Sequence, residues 1–334
     1  PNISARNPAT NSLTLSDVTT FSDFVIGKNI PTFIGYPSAK IKGMKFNDLN
    51  ANGIFELGEN GLSGWTIIAN GLISNDTTTT DGLGEYTLDN LYGGTYTVKE
   101  QLVAPWIQSY PTIGTHTVSV VQDSIVTNIN FGNHKNGKIS GLKFNDLNGD
   151  GAKDISEPGI ANWKIKLDGS THNNVPVNDS AFTDNDGNYS FPDVPIGNYS
   201  VTEEYYPGWL QTYPGGTGIY VLAIQSDANL NNITFGNFLL GTISGHTFED
   251  INGNGNLDAG EPGVGNWKIR LNGTTTINTV ISESTMTDGN GNFQFTNLRG
   301  GTYTISEEIE SGWTQTFPPN TSYTDAITSG SNLT

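Results

Sequence analysis

The protein is an acidic chain of 334 residues that contains no cysteine. Its 15 Lys and Arg residues face 33 Asp and Glu residues, so the formal net charge is −18. The shortage of basic residues argues against nucleic-acid binding, and the missing thiols exclude disulfides, zinc–thiolate sites and a cysteine nucleophile. The apolar runs are too short to cross a membrane, and the aromatic content of 10% favours a folded chain.

The N-terminal extension, residues 1–39, carries one apolar strand-like segment at residues 21–28. Its apolar side chains include Phe21, Phe24 and Ile26. The linker of about twelve residues that follows would span up to roughly 40 Å when extended. The chain starts at Pro1 without a signal-peptide pattern, so we expect a mature or excised product.

Three copies of one segment follow the extension. Residues 43–53, 141–151 and 245–255 align at offsets of 98 and 104 residues, and Trp65, Trp163 and Trp267 have the same two offsets. A period near 100 residues is that of a whole domain. The predicted boundaries are 1–39 for the extension and 40–136, 137–240 and 241–334 for the repeats.

Each repeat has the pattern of an all-β domain. Short segments rich in β-branched and aromatic residues, such as residues 95–100 and 116–121, alternate with clusters of Gly, Asn, Asp and Pro. No stretch shows a sustained helical period. About seven short strands per 100 residues is typical of an immunoglobulin-like sandwich. We therefore predict three tandem immunoglobulin-like β-sandwiches.

An acidic loop directly follows the first strand of every repeat. A calcium loop has Asp at position 1, Asp or Asn at positions 3 and 5, Gly at position 6 and Glu at position 12. All three repeats match, and position 9 is acidic in each. Position 7 would contribute only its backbone carbonyl. Short oxygen side chains at alternate positions converge on a hard cation, whereas one isolated match could be a polar turn.

The three matches predict about one Ca²⁺ per repeat. The ion would stabilise the structure and would not trigger an opening of the domain, as it does in a calcium sensor. The predicted ligands are Asp48, Asn50, Asn52, Ile54, Glu56 and Glu59 in the first loop, Asp146, Asn148, Asp150, Ala152, Asp154 and Glu157 in the second, and Asp250, Asn252, Asn254, Asn256, Asp258 and Glu261 in the third.

Two further residue sets leave alternatives open. Asp81, Asp184, Asp186 and Asp288 lie in predicted hairpin turns, where they could hold a further cation but are more simply explained as turn residues. A second tryptophan in each repeat would cover one end of the core or form a sugar-stacking platform. These tryptophans are Trp106, Trp209 and Trp313.

The repeats resemble the B-type repeats of serine–aspartate-repeat surface adhesins. The resemblance is carried by residues 144–151 and 157–159 of the acidic loop, by the Gly-x-Tyr-Thr-Val segment at 94–98, and by Asn-Ile-Asn-Phe-Gly-Asn at 128–133. It implies a prealbumin-like β-sandwich, calcium in the acidic loop, and a stalk or wall-spanning structural role at the cell surface.

The resemblance to the related collagen-adhesin B modules also implies a possible Lys–Asn isopeptide bond promoted by an acidic residue. Lys45 and Lys143, Asn133 and Asn237, and Glu100 and Glu204 could supply it in repeats 1 and 2, whereas repeat 3 has Thr247 in place of the lysine. Lysines on an exposed strand face are the more ordinary interpretation.

The two ends of the array do not match. Repeats 1 and 2 finish with the strand signature at residues 128–133 and 232–237, but residues 331–334 stop before it. A sandwich without its last strand exposes its core and an open edge. We expect residues 12–28 of one copy to complete repeat 3 of the next, which gives a head-to-tail filament; the alternative is an excerpt of a longer array.

These patterns predict a non-enzymatic, extracellular structural subunit of a filament, sheath or cell-surface layer. It would be rigidified by calcium and polymerised with itself by donor-strand complementation. The alternative is the stalk or carbohydrate-binding region of a surface adhesin, with glycans as partners. The four histidines occupy non-equivalent positions, and no nucleophile–base pair recurs.

Overall fold

The computed structural model describes residues 36–334 and two strands of the N-terminal extension, β1 (Asn2–Asn7) and β2 (Ser12–Ser16). These two strands pair with each other as an antiparallel hairpin. The predicted donor residues Phe21, Phe24 and Ile26 lie outside the described residues.

The described residues contain β-strands and no α-helix, so the all-β prediction is confirmed. They divide into two units. The first contains the residues up to 47 together with 53–133, and the second contains residues 48–52 together with 134–334. Among the described residues, no helix has the length and apolar character needed to cross a membrane.

Repeat 1 is a sandwich of a five-stranded and a four-stranded sheet. In the first sheet, β3 pairs with β6, β10 and β11, and β11 pairs with β8; the second sheet has the order β5-β4-β7-β9. The strands are β3 (Ala39–Asn47), β4 (Thr66–Gly71), β5 (Asn75–Thr79), β6 (Glu85–Leu91), β7 (Gly94–Glu100), β8 (Ile107–Tyr110), β9 (Thr115–Val120), β10 (Ile125–Val126) and β11 (Phe131–His134).

Repeat 2 has the same architecture. Its sheets are ordered β15-β12-β20-β17, with β19 also pairing β12, and β14-β13-β16-β18. The strands are β12 (Gly137–Asn145), β13 (Lys164–Thr171), β14 (Pro176–Phe182), β15 (Asn188–Val194), β16 (Gly197–Glu203), β17 (Trp209–Tyr213), β18 (Tyr220–Ile224), β19 (Asn229–Leu230) and β20 (Phe235–Leu239).

Repeat 3 keeps the four-stranded sheet β23-β22-β25-β26 but has only β24-β21-β27 in the other. Within the described residues, β21 therefore has no neighbour equivalent to β20 of repeat 2. The strands are β21 (Gly241–His246), β22 (Lys268–Thr275), β23 (Val280–Met286), β24 (Asn292–Leu298), β25 (Gly301–Glu307), β26 (Ser322–Ile327) and β27 (Asn332–Leu333).

The first and last strands of a complete sandwich lie side by side. Strand β3 runs parallel to β11, and β12 runs parallel to β20, with Lys143 opposite Phe235. Each sandwich encloses its own apolar cluster, which includes Ile67 and Phe131 in repeat 1 and Ile165 and Phe235 in repeat 2. These parallel pairs place the acidic loop at the end of the first strand, beside the last one.

Candidate calcium loops and buried lysine clusters

The acidic loop of repeat 2 is held closed at its base. Phe144 forms an isolated β-bridge with Gly159, and the N–H of Asn145 donates to the Pro158 carbonyl at 2.8 Å. The N–H of Asp146 donates to the Asn237 carbonyl at 2.9 Å, which ties the loop to the last strand. The loop is therefore fixed at both ends by backbone hydrogen bonds.

Position 1 of the loop organises the backbone that follows it. The buried Asp146 accepts hydrogen bonds from the N–H groups of Gly149 at 2.6 Å and Gly151 at 2.8 Å. Asp250 of repeat 3 does the same with Gly255 at 2.7 Å. Gly151 and Gly255 have φ angles of 81° and 78°, in the left-handed region where glycine is favoured.

The side chains at positions 3, 5 and 9 converge in the second loop. The Asn148 amide donates to Asp150 at 3.0 Å and to Asp154 at 3.3 Å. Glu157 at position 12 accepts the N–H of Asp154 at 2.9 Å. Burial raises the pKa of the Glu157 carboxyl, and the neighbouring Asp146 and Asp154 carboxylates raise it further, against the opposing effect of its backbone donors. The carboxylates therefore repel one another in this loop.

The third loop repeats this arrangement with a less buried backbone. Asp258 accepts hydrogen bonds from the amides of Asn252 at 2.8 Å and Asn254 at 2.7 Å. Glu261 accepts the N–H groups of Ile251 at 3.0 Å and Asp258 at 2.9 Å, and so joins the two ends of the loop. The second and third loops thus bring together the side chains predicted at positions 3, 5 and 9.

The predicted ligands of the first loop are divided between the two units. Asp48, Asn50 and Asn52 belong to the second unit, where the Asn52 N–H donates to Asp48 at 3.1 Å and to Asn50 at 3.0 Å. Glu56 and Glu59 belong to the first unit, where the Glu56 N–H donates to the Glu59 carboxylate at 3.0 Å. The position-7 residues are exposed in all three loops: Ile54, Ala152 and Asn256.

The donor chemistry of the second and third loops suits a hard divalent cation. Among the described residues, no three His, Cys, Asp or Glu side chains form a cluster placed to hold a metal. The loops offer a mixed set instead, in which carboxylates meet Asn side chains that can also present their amide oxygens. Ca²⁺ accepts such mixed oxygen ligands and tolerates irregular geometry.

The acidic hairpin turns have the geometry of ordinary Asx turns. Asp184 accepts the backbone N–H groups of Asp186 at 3.0 Å and Asn188 at 2.8 Å. Asp288 and Asp81 accept equivalent backbone N–H groups in their own turns. These bonds give each carboxylate a structural role that requires no cation.

Lys45 and Lys143 lie in the interior, so the expectation that they occupy an exposed strand face is wrong. Both residues have 0% exposure. The Lys143 Nζ lies 2.7 Å from Glu203 Oε2 and donates to Asn237 Oδ1, while the Asn237 amide donates to Glu203 Oε1 at 2.7 Å. The mapping of Glu204 onto this trio is also wrong, because Glu204 forms a half-exposed ion pair with Lys166.

The environment of Lys143 shifts its side chain toward the neutral form. Burial lowers the pKa of the Lys143 ammonium to about 8, although the Glu203 carboxylate opposes this effect. Burial likewise raises the pKa of Glu203. The Trp163 ring lies 4.3 Å from the Lys143 Nζ and covers it. The amine, the carboxyl and the Asn237 carboxamide therefore share one water-excluded site.

Repeat 1 has an equivalent buried lysine–glutamate pair, although its Asn133 side chain makes no hydrogen bond to that pair, and repeat 3 has no such pair among its described residues. The Lys45 Nζ lies 2.7 Å from Glu100 Oε2 and 4.4 Å from the Trp65 ring, and Asn133 has 0% exposure. In repeat 3, Thr247 replaces the lysine and donates its hydroxyl to the Val264 carbonyl at 2.8 Å. Only the complete sandwiches carry the lysine.

Within the described residues of repeat 3, an open groove lies beside β21. The cavity has a volume of about 610 Å³ and follows the free side of β21. Its apolar walls include Phe293, Ile305 and Phe317, together with Trp313, which is 43% exposed. In repeat 2 the corresponding space is filled by Phe235, which has 0% exposure.

The second tryptophan of each repeat packs against the first. The ring centroids of Trp163 and Trp209 are 5.4 Å apart in an edge-to-face arrangement. Trp65 with Trp106 and Trp267 with Trp313 form the same pair at 5.9 Å and 5.3 Å. Covering one end of the core therefore accounts for these residues, and a sugar-stacking role stays a prediction.

Comparison with known proteins identifies relatives along the whole array. The chain is 28% identical over 312 residues to serine-aspartate repeat-containing protein D of Staphylococcus aureus (strain Newman), covering 83% of this chain and 22% of the relative. It is 26% identical over 299 residues to serine-aspartate repeat-containing protein F of Staphylococcus epidermidis. That match covers 80% of this chain and 18% of the relative. The chain thus spans about a fifth of the length of these relatives.

Comparison with solved structures matches two bacterial proteins at low TM-scores. The Bacillus anthracis TIE protein gives a TM-score of 0.36 at 18% identity, covering 89% of this chain and 50% of that one. BcpA, the major pilin subunit of Bacillus cereus, gives a TM-score of 0.34 at 11% identity, covering 87% of this chain and 91% of that one.

The family comparison agrees with the repeats and sandwiches described above. The model of the SdrD B-like domain matches residues 39–133, 137–240 and 241–333, one match for each sandwich. The prediction that the chain is not an enzyme is confirmed, since the family and these relatives are non-enzymatic. With three matches that cover nearly all of its described residues, the chain belongs to the SdrD B-like domain family.

Proposed function

We propose that the chain is a structural segment of an extracellular filament, sheath or cell-surface layer. The observation that carries this proposal is the parallel pairing of β12 with β20 and of β3 with β11. Because parallel neighbours point the same way, the chain enters such a sandwich at one end and leaves it at the other. Domains joined in this manner can transmit a tensile force from one domain to the next. Family membership supports the proposal.

We further propose that calcium stiffens the acidic loops. In the second loop, Asp146, Asp150, Asp154 and the Asn148 side chain would hold the ion, while Glu157 closes the loop by accepting backbone N–H groups. A bound Ca²⁺ supplies the positive charge that offsets the repulsion among these carboxylates. The sequence match extends the proposal to the other two loops.

Calcium binding is tested by titration and thermal unfolding of the full chain. At 1 mM calcium, a site with a Kd of 10–100 μM adds about 1.4–2.7 kcal/mol to the free energy of unfolding. We expect about one ion per repeat, and one fewer in Asp154→Asn, which removes an exposed carboxylate of the second loop. Asp179→Asn, an exposed control outside the loops, keeps the full number. Equal melting temperatures in calcium and in chelator would refute the proposal.

The buried clusters support a second proposal, a covalent clamp in repeats 1 and 2. The neutral Lys143 amine attacks the Asn237 carboxamide carbon, a C–N bond forms, and ammonia leaves. Glu203, which touches both groups, takes a proton from the amine and passes one to the departing nitrogen. No oxidant is needed. The resulting amide joins the first strand to the last. These are the two strands to which a tensile force on the chain is applied.

The groove of repeat 3 supports head-to-tail assembly by donor-strand complementation. A strand that places apolar side chains where Ile233 and Phe235 lie in repeat 2 would fill the groove and pair with the open side of β21. We propose that residues 12–28 of a second copy supply it, with Phe21, Phe24 and Ile26 as the apolar contacts.

Sedimentation of N-terminal variants tests the donor strand. Deleting residues 1–28 leaves monomers if this segment joins the copies. Phe24→Asp has the same effect because it places a charge in an apolar groove, whereas Val25→Asp, whose side chain would point to the opposite face of the strand, retains assembly. Polymers that persist after the deletion contradict the proposal.

A further inference from the structure

The acidic loop of repeat 3 contains two consecutive Asn–Gly bonds, which join Asn252 to Gly253 and Asn254 to Gly255. Such bonds are prone to spontaneous modification, because glycine has no side chain that hinders approach to its nitrogen. The glycine nitrogen attacks the carboxamide carbon of the preceding asparagine and a C–N bond forms. The proton of that nitrogen leaves with the side-chain NH2 group as ammonia. Water then opens the resulting succinimide ring to aspartate or isoaspartate.

One carboxylate holds both glycine nitrogens. Asp250 accepts the N–H of Gly253 on Oδ1 at 2.7 Å and the N–H of Gly255 on Oδ2 at 2.7 Å. The attack requires the nitrogen to give up its proton, and a neighbouring negative charge opposes that loss. Hydrogen bonds to charged groups are also stronger than those between neutral groups. Both nitrogens are therefore held in their unreactive form.

The side chains that would be attacked are held as well. Oδ1 of Asn252 accepts the N–H of Asn254 at 3.0 Å, and the Asn252 amide donates to Asp258 at 2.8 Å. Oδ1 of Asn254 accepts the N–H of Asn256 at 2.7 Å, and the Asn254 amide donates to the same carboxylate at 2.7 Å. Each carboxamide is thus fixed by two hydrogen bonds that must break before it can rotate toward the next nitrogen.

The loop of repeat 2 has the same protection around one Asn–Gly bond. The N–H of Gly149 donates to Asp146 at 2.6 Å, and Asn148 Oδ1 accepts the N–H of Asp150 at 2.8 Å. Position 5 is Asp150 here, where repeat 3 has Asn254. Deamidation of Asn254 to aspartate would give the residue of the second loop, whereas isoaspartate would add a backbone carbon. Only the second product changes the spacing of the oxygen side chains in the loop.

Another Asn–Gly bond of repeat 3 is held without a carboxylate. It joins Asn290 to Gly291 in a hairpin turn, where the N–H of Gly291 donates to the backbone carbonyl of Asp288 at 2.9 Å. Because its glycine nitrogen is bonded to a neutral oxygen, this bond is an internal reference for the effect of the charged one.

We propose that Asn252 and Asn254 are latent modification sites, and that Asp250 protects them from conversion to aspartate and isoaspartate. Asp146 protects Asn148 in the same way. The co-reactant is water, and no enzyme or cofactor takes part. The aspartate at position 1 thus has a role besides any contact with a cation, since it keeps the covalent structure of the loop unchanged.

Incubation of the full chain in a chelating buffer at mildly alkaline pH tests this protection, with peptide mass spectrometry as the readout. In Asp250→Ala, both glycine nitrogens lose their acceptor. We expect deamidation at Asn252 and Asn254 to become roughly ten- to hundredfold faster, the factor that a hydrogen bond to a charged group supplies. The rates at Asn148 and Asn290 of the same molecule stay as in the parent chain.

Glu261→Gln is the matched control for closure of the loop. It removes the charge that accepts the N–H groups of Ile251 and Asp258, and it leaves Asp250 in place. We expect both asparagines to keep the parent rates. Equal acceleration in the two variants would show that closure of the loop, rather than the carboxylate, protects the asparagines, and would overturn the proposal. Unchanged rates in Asp250→Ala would do so too.

The second loop decides the question if Asp250→Ala unfolds repeat 3, which faster deamidation at Asn290 would reveal. In Asp146→Ala we expect deamidation at Asn148 to accelerate by the same factor, and the rate at Asn252 to stay as in the parent chain. An unchanged rate at Asn148, or an equal rise at Asn252, contradicts the proposal.

Discussion

At the scale of single residues, the buried lysine clusters depend on which of two adjacent glutamates faces the interior. Successive side chains in a strand point to opposite faces, so a shift of one residue exchanges them. The structure pairs Glu203 with Ile165 and turns it toward Lys143, and Glu204 then lies outside with Lys166. The sequence predicted the lysine and asparagine but assigned the wrong glutamate, because the alternation set by the buried Tyr199 and Val201 continues to Glu203 and not to Glu204.

The mass of the intact protein tests the covalent clamp. If both clamps form, the chain is lighter than calculated from its sequence by two molecules of ammonia. Glu203→Gln cannot transfer the proton, so it retains the ammonia of repeat 2 and loses only that of repeat 1. Glu204→Gln is the control, since the neighbouring residue makes only a surface ion pair, and it keeps both losses. An unmodified mass for the parent chain would exclude the clamp.

At the scale of elements, the acidic loop is the part of the candidate site that sequence predicts best. Its oxygen side chains are spaced within twelve consecutive residues, so no distant contact is needed to bring them together. The sequence did not reveal that position 4 of the acidic loop adopts a left-handed backbone conformation. Ala51, with a φ of 59°, shares the left-handed conformation of Gly149 and Gly253. The hydrogen bonds of Glu157 to both ends of its loop also follow from the folded backbone.

Replacing the glycine at position 6 should open the second loop. Gly151→Ala puts a Cβ on a residue with a φ of 81° and 3.0 Å from the Thr212 carbonyl. We expect a loss of about 1–2 kcal/mol in the free energy of unfolding, from the left-handed conformation alone. Chemical denaturation measures it.

Gly289→Ala is the control for this substitution, because Gly289 lies in a hairpin turn with open space around its Cβ and no left-handed φ. Equal stability of the two variants would show that the loop does not require glycine at position 6.

At the scale of the whole molecule, sequence predicted three all-β domains because the period, the tryptophans and the turn spacing are local or repeated signals. It could not predict what joins the modules. Phe238 lies in a strand of repeat 2 and yet packs in the core of repeat 3, and Ser329, one of many turn serines, donates its hydroxyl to Asn145 of repeat 2 at 2.6 Å. Such contacts bring together residues far apart in the chain, and no residue pattern marks them.

The central claim is that complete sandwiches carry load between their first and last strands. Stretching single molecules by their two ends tests it most directly. With clamps in place, the residues between Lys45 and Asn133 and between Lys143 and Asn237 cannot extend. We therefore predict one domain-sized extension, from repeat 3, of roughly 300 Å. Three domain-sized extensions, one from each repeat, would contradict the account.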